Sequence, residues 1–403
     1  MPLKIGKGLI LRVASVLIAG VVVAALIIGD SIVKKNESNL DSILCPPIVH
    51  EDSLKVSKES GQKMAQQIIE EGAVLLKNNN HTLPLKMGTD FKLNVFGWAS
   101  IDWAYGANSS SCSGRVMAED SKRTSLVDLY DALTLYGIEY NTELKEMYER
   151  YADPYVYALK DPGSVNNTNV ITLHEPDIND YSYYTDALLD NAERYSRNAL
   201  VVITRNAGED IPADRAMNKA GKNYTNEPNK IYLDLSNEEK NLLTYVGQAF
   251  EKVIVIINSP AQMDLSFLNT IKGLDAALQV GFTGTHGAEM IPALLYGEKN
   301  PSGHLVDTFA YDRNYSFAFK AKNAASFNGS YLNGKKFFEY VEGIYVGYRW
   351  YETADAEHYW RDYSKTILDE QDKEVLKTGY EAVVQYPFGP QIAYKRNRIA
   401  ASW

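Results

Sequence analysis

Cysteine, histidine and positive charge are all in short supply in this chain, and each shortage excludes something. Its 403 residues contain two cysteines, Cys45 and Cys112. Two thiols without Cys-x-x-Cys spacing cannot make a disulfide framework. The six histidines are scattered and never form His-Glu-x-x-His, so neither a metal nor a cofactor is expected. Lys and Arg number 41 against 51 Asp and Glu, a net charge of −10. Phosphate binding needs a basic surface, so nucleic acid is not expected as a partner. The sequence also lacks a Gly-x-Ser-x-Gly elbow, a phosphate-binding loop and a dinucleotide glycine fingerprint. Glycine and proline, 27 and 14, are ordinary for a globular chain, which excludes collagen and wholesale disorder. Tyrosine is the unusual count, at 28 against 12 Phe. Its flat apolar ring with a polar tip suits wet, polar ligands as well as surface packing.

Val13 to Gly29 is a run of 17 residues without a charge. With its flanks it can cross a ~30 Å hydrocarbon core as a helix. Lys4, Lys7 and Arg12 precede it, and Lys34 and Lys35 follow. That bias favours the N-terminus inside and the bulk of the chain extracytoplasmic. Gly20–Asp30 lacks a clean small-x-small cleavage site, so an uncleaved single-pass anchor in the cell membrane is expected, with a cleaved signal peptide as the alternative.

A polar linker follows, and Ser53 to Lys77 then carries apolar residues at helical spacing. Apolar strands are expected at Leu93–Phe96, Ala199–Thr204, Val253–Ile257 and Ala276–Val280. Helices are expected at Leu126–Leu135, Ser236–Phe250 and Ala288–Tyr296. Ser236 with Glu239 three residues on is a capping box. Continuous apolar strands between helices indicate an α/β fold, a mostly parallel sheet sandwiched by helices. Tyr140–Asp190 and Tyr311–Lys336 read as irregular. Ligand sites of such sheets lie in loops at the carboxyl ends of the strands. Three loops qualify: Gly97–Gly114, Arg205–Arg215 and Asn258–Asp264. The second holds Glu209, Asp210 and Asp214 between two arginines. A carboxyl held there by the Gly208 turn can serve as a general acid, and a solvated charged loop is the plainer alternative.

Several stretches resemble glycoside hydrolase family 3, the β-glucosidase type. Glu71–Leu85 (EGAVLLKNNNHTLPL) looks like the entry to its C-terminal α/β sandwich domain, and Asn94–Ser100 (NVFGWAS) like the first strand and site loop. Val255–Ser259 (VIINS), Gly297–Thr308 (GEKNPSGHLVDT), Tyr340–Tyr351 (YVEGIYVGYRWY) and Tyr386–Gly389 (YPFG) follow in the family's order. The resemblance implies retaining hydrolysis of β-linked glucosides or oligosaccharides, with a nucleophile Asp on a (β/α)₈ barrel and an acid/base Glu on the sandwich. Gly208-Glu209-Asp210 falls at the acid/base position, with Asp210 where the family has a second glycine. Glu209 is thereby the acid/base candidate, and Trp98, Asp102, Tyr105, Arg205 and Asp210 are candidate substrate contacts. Ile101-Asp102-Trp103 resembles the barrel's Ser-Asp-Trp, but it lies in the first sandwich loop, so Asp102 is taken as a contact and not as the nucleophile.

The expected organisation is an anchor (1–33), a linker (34–52), the sandwich (53–312), a connector toward an immunoglobulin-like domain (313–389) and a basic tail (390–403) unlike the family's continuation. That order resembles the rearranged members in which the sandwich precedes the barrel, here stopping before it. The barrel is then expected on a separate chain or in an interrupted reading frame. A noncatalytic, membrane-anchored carbohydrate-binding module is the alternative.

Overall fold

The computed structural model describes residues 7–35, 51–106, 126–156, 172–205, 217–219, 227, 229–317, 331–332, 335–336 and 342–389. The chain divides into a unit ending at Ser60 and a unit from Gly61 onward. In the first unit a helix runs over Lys7–Lys35. Its segment Ser15–Lys35 has a mean hydropathy of 2.6 and is long and apolar enough to cross a membrane.

The second unit is built on a six-stranded sheet. Its strands are β1 (Val74–Asn78), β2 (Lys92–Phe96), β3 (Glu139–Tyr140), β5 (Asn198–Thr204), β7 (Lys252–Asn258) and β8 (Ala276–Gln279). Two short strands outside it, β4 (Thr172–Leu173) and β6 (Asn218–Lys219), pair with each other in parallel. The sheet order is β1-β8-β7-β5-β2-β3, with β1 antiparallel to β8 and the remaining pairs parallel. β5 and β7 stay in register from Asn198↔Lys252 to Thr204↔Asn258. Because side chains alternate across a strand, a strand covered on both sides must be apolar at nearly every position. Val201, Ile203, Val253, Val255 and Ile257 accordingly join one core cluster, whereas Leu200, Val202, Ile254 and Ile256 join the other.

The helix Asn237–Ala249 starts where the capping box places it. Ser236 Oγ accepts the Glu239 N–H at 3.1 Å, and Glu239 Oε2 accepts the Ser236 N–H at 2.8 Å. The helix Leu129–Tyr136 ends at Gly137, whose φ of 80° is the left-handed cap geometry.

Three stretches depart from the expected elements. The helix expected over Ser53–Lys77 covers Glu51–Gly72, and the apolar Val74–Leu76 instead form edge strand β1 against β8. The stretch expected to be irregular after Tyr140 contains a helix, Thr142–Val156. It buries Leu144, Met147, Tyr148 and Tyr151, an i, i+3, i+4, i+7 stripe in which tyrosine acts as a core residue. The segment expected as a connector returns to the same unit, since Val384–Tyr386 pairs antiparallel with Phe309–Ala310.

Going outward from β2, β3 lies on one side and β5 on the other, so the strand order reverses between β2 and β5. A crevice at the carboxyl edge forms at such a switch point. Gly97 opens the loop there with φ of 96°, and a Cβ on it would stand 2.3 Å from the Val202 carbonyl oxygen. Gly97→Ala is therefore expected to destabilise the fold by roughly 2–4 kcal/mol, from left-handed strain plus a backbone clash. A urea-unfolding midpoint equal to that of the wild type would contradict this.

Candidate active site

Four loops meet along the carboxyl edge: 97–106 after β2, the chain from Arg205 after β5, 258–264 after β7 and 280–286 after β8. The sequence reading named the first three. The fourth joins through backbone and side-chain bonds to the first. Gly284 N–H donates to the Tyr105 carbonyl at 2.8 Å, and the Trp103 indole N–H donates to Thr283 Oγ1 at 2.9 Å. Asn258, at the start of the third, ties the first and the fourth to it. Its Oδ1 accepts the Ala104 N–H at 2.7 Å, while its Nδ2 donates to the carbonyls of Ala104 (3.1 Å) and Gly281 (2.7 Å).

Arg205 is fully buried. Its Nε donates to Tyr232 O at 2.6 Å. One terminal nitrogen donates to Thr204 O and Glu239 Oε1, the other to Asp234 O and Glu239 Oε2, all at 2.6–2.7 Å. A guanidinium has five N–H donors, and these five bonds use them all. Burial works against the charge, but the adjacent Glu239 carboxylate more than offsets it and raises the Arg205 pKa above its ordinary value. The substrate-contact role expected for Arg205 is corrected accordingly: it has no donor left for a ligand and instead anchors the end of β5. Ser259 Oγ also donates to the Arg205 carbonyl at 3.2 Å.

Trp98 and Asp102 are buried and Tyr105 is half-buried, all on the loop after β2. The Trp98 ring packs on His174 with centroids 4.6 Å apart, and its indole N–H has no hydrogen-bond acceptor among the described residues. Its backbone N–H donates to Glu175 Oε2 at 2.6 Å. Glu175 Oε1 accepts from Tyr184 at 3.2 Å and Tyr148 at 3.4 Å, and the two phenol oxygens bond each other. Tyr148 also accepts the Gly97 N–H at 2.7 Å. Burial pushes the Glu175 carboxyl up to about 8. The bond from Trp98 opposes this, the Glu239 charge adds to it, and the two tyrosine bonds oppose it. Sequence reading missed Glu175 because its surroundings carry no period. Asn258 was named within a strand motif and as the start of a candidate loop, without a role of its own, and Glu239 only as a helix cap. Glu209 and Asp210 lie outside the described residues. Among the described residues, no cluster of three or more His, Cys, Asp or Glu side chains is placed to hold a metal ion.

This edge brings Trp98, Asp102 and Trp103, all buried, and the half-buried Tyr105 together beside a strand end locked in place. Residues 73–348 match the glycosyl hydrolase family 3 C-terminal domain. The chain belongs to this family. A β-glucosidase A of Butyrivibrio fibrisolvens is 26% identical over 336 residues, covering 80% of this chain and 34% of that protein. A β-glucosidase of Ruminococcus albus is 29% identical over 344 residues, covering 84% and 28%. The solved β-glucosidase from Paenibacillus barengoltzii superposes with a TM-score of 0.60 at 24% identity, over 83% of this chain and 30% of that one. The β-glucosidase 3B of Thermotoga neapolitana, solved with α-D-glucose, gives 0.57 at 22% identity, over 83% and 38%. The chain thus spans about a third of the length of these family 3 relatives.

In this family 3 domain, Glu239→Ala would strand a buried guanidinium without its counter-charge. The expected loss is about 3–5 kcal/mol. Ser236→Ala removes only the cap bond and costs about 1 kcal/mol. Equal midpoints for the two variants in denaturant would show that the ion pair does not anchor this edge.

Proposed function

We propose that the chain supplies the proton-donor half of a retaining glycosidase site acting on β-linked glucosides or short oligosaccharides. Glu209 is its acid/base, and Trp98, Asp102, Tyr105 and Asp210 contact the substrate. The observation that carries this reading is the anchored end of β5. Arg205 is held by five bonds four residues before Glu209, at the carboxyl end of β5, the strand beside β2, whose following loop carries Trp98 and Asp102. The β-glucosidase relatives support glycoside hydrolysis as the reaction class.

In double displacement, the acid protonates the departing glycosidic oxygen while a second carboxylate, about 5 Å from it, attacks the anomeric carbon. The acid, now a carboxylate, then takes a proton from water as water hydrolyses the glycosyl-enzyme. On this reading the attacking carboxylate comes from a (β/α)₈ barrel, on the same polypeptide or another chain. With the barrel present, Glu209→Gln should lower turnover of alkyl glucosides at least about a hundredfold. The loss should be smaller for nitrophenyl glucosides, whose leaving group needs no proton. Equal activity of mutant and wild type on alkyl glucosides eliminates Glu209. A wild type that binds glucosides but never hydrolyses them points to a noncatalytic carbohydrate-binding module.

The helix Lys7–Lys35 is proposed to anchor the chain in a membrane with its N-terminus inside. Protease added to intact cells should then degrade the chain from Ser53 onward. Protection of that region sinks the orientation.

A further inference from the structure

We propose that Glu175 is a positioning residue: its carboxyl, clamped by Tyr148 and Tyr184, sets the pose of the loop from Gly97 to Tyr105 through the Trp98 N–H. The loop is held at two points. Asn258 grips its far end at Ala104. At its near end Tyr148 takes the Gly97 N–H and Glu175 the Trp98 N–H. Those two acceptors arrive on separate elements, Tyr148 on the helix Thr142–Val156 and Glu175 just after β4. Tyr184 precedes the helix Asp186–Tyr195 and closes the triangle of oxygens. The clamp therefore joins three chain segments behind the turn that carries Trp98.

A carboxyl 7% exposed is a costly acceptor, since an amide or a hydroxyl could also take one N–H bond. What distinguishes a carboxyl is that it can titrate. The groups facing it are Tyr148 from its helix, Tyr184, the Trp98 N–H, and the Glu239 charge from the start of the helix Asn237–Ala249. His174 is its chain neighbour and packs on Trp98. Arg205, the buried cation of this edge, is fully engaged by Glu239 and backbone carbonyls. Burial pushes the Glu175 carboxyl up to about 8, so at neutral pH it is mostly protonated, accepting from Trp98 while sharing its own proton with the tyrosines. Its folded pKa lies above the ordinary value of 4.5. Its contribution to stability is therefore complete below 4.5 and is lost as pH rises through about 8. Above that, a negative charge sits behind the loop, and no counter-ion among the described residues is bonded to it.

The test compares wild type, Glu175→Gln and Glu175→Ala in the full chain purified in detergent. Amide hydrogen exchange is followed at pH 6.5 and pH 9 and corrected for intrinsic rates. Glu175→Gln keeps the shape and cannot ionise. The peptide 97–106 should exchange at the wild-type rate at pH 6.5 and more slowly than wild type at pH 9. In Glu175→Ala the same peptide should exchange about tenfold faster at both pH values, with β5 and β7 unchanged. The urea midpoint of wild type should also fall relative to Glu175→Gln between pH 5 and pH 9. Wild-type exchange of 97–106 in Glu175→Ala, or acceleration shared equally by β5 and β7, overturns the proposal. If Glu175→Ala does not fold, a wild-type midpoint that runs parallel to Glu175→Gln across that pH range overturns it. The consequence for sugar binding rests on the glycosidase reading: methyl β-glucoside affinity should fall in Glu175→Ala and be restored in Glu175→Gln. A wild type that binds no glucoside removes that reading and leaves the exchange result standing.

Discussion

A guanidinium with no access to water must find a partner for every N–H, and the carboxyl edge of this sheet is organised around that demand. Arg205 collects carbonyls from Thr204, Tyr232 and Asp234 and both oxygens of Glu239. Each partner is thereby fixed in space: the end of β5, the turn at 232–234 and the first turn of the helix Asn237–Ala249. The pair need not add much net stability, because the desolvation of two charges offsets most of their attraction. What it provides is geometry, since any displacement leaves a buried donor unpaired.

The same logic extends outward along the edge. Loops crossing the ends of parallel strands have backbone groups that no strand neighbour satisfies. Here side chains from other segments satisfy them: Asn258 at Ala104 and Gly281, Glu175 at Trp98, and Tyr148 at Gly97. The result is a loop whose backbone is held at both ends by side chains from distant segments. Among the described residues, the buried indole N–H of Trp98 has no acceptor and is an exception in that network.

Much of the fold was legible because it rests on local patterns. β5 and β7 read as strands since both faces are covered and every position must be apolar. The helix at Asn237 was announced by Ser236 and Glu239 within four residues. Reading failed where one pattern served two states. Val74, Leu75 and Leu76 continue the apolar spacing of the preceding helix, and only pairing with β8 makes them a strand. The helix Thr142–Val156 was overlooked because its buried stripe includes Tyr148 and Tyr151, whose polar tips disguise core positions.

By itself, then, the sequence determined the α/β class, the order of the family motifs and the positions of the apolar central strands, all of which depend on neighbours within a few residues. It also singled out Arg205 as important, but for the wrong reason. Whether an arginine meets a ligand or fills the interior depends on Glu239, 34 residues away. Whether a glutamate such as Glu175 is solvated or holds the Trp98 amide depends on a contact across 77 positions. Burial and charge pairing are properties of surroundings assembled from distant segments, so only the tertiary structure decided them.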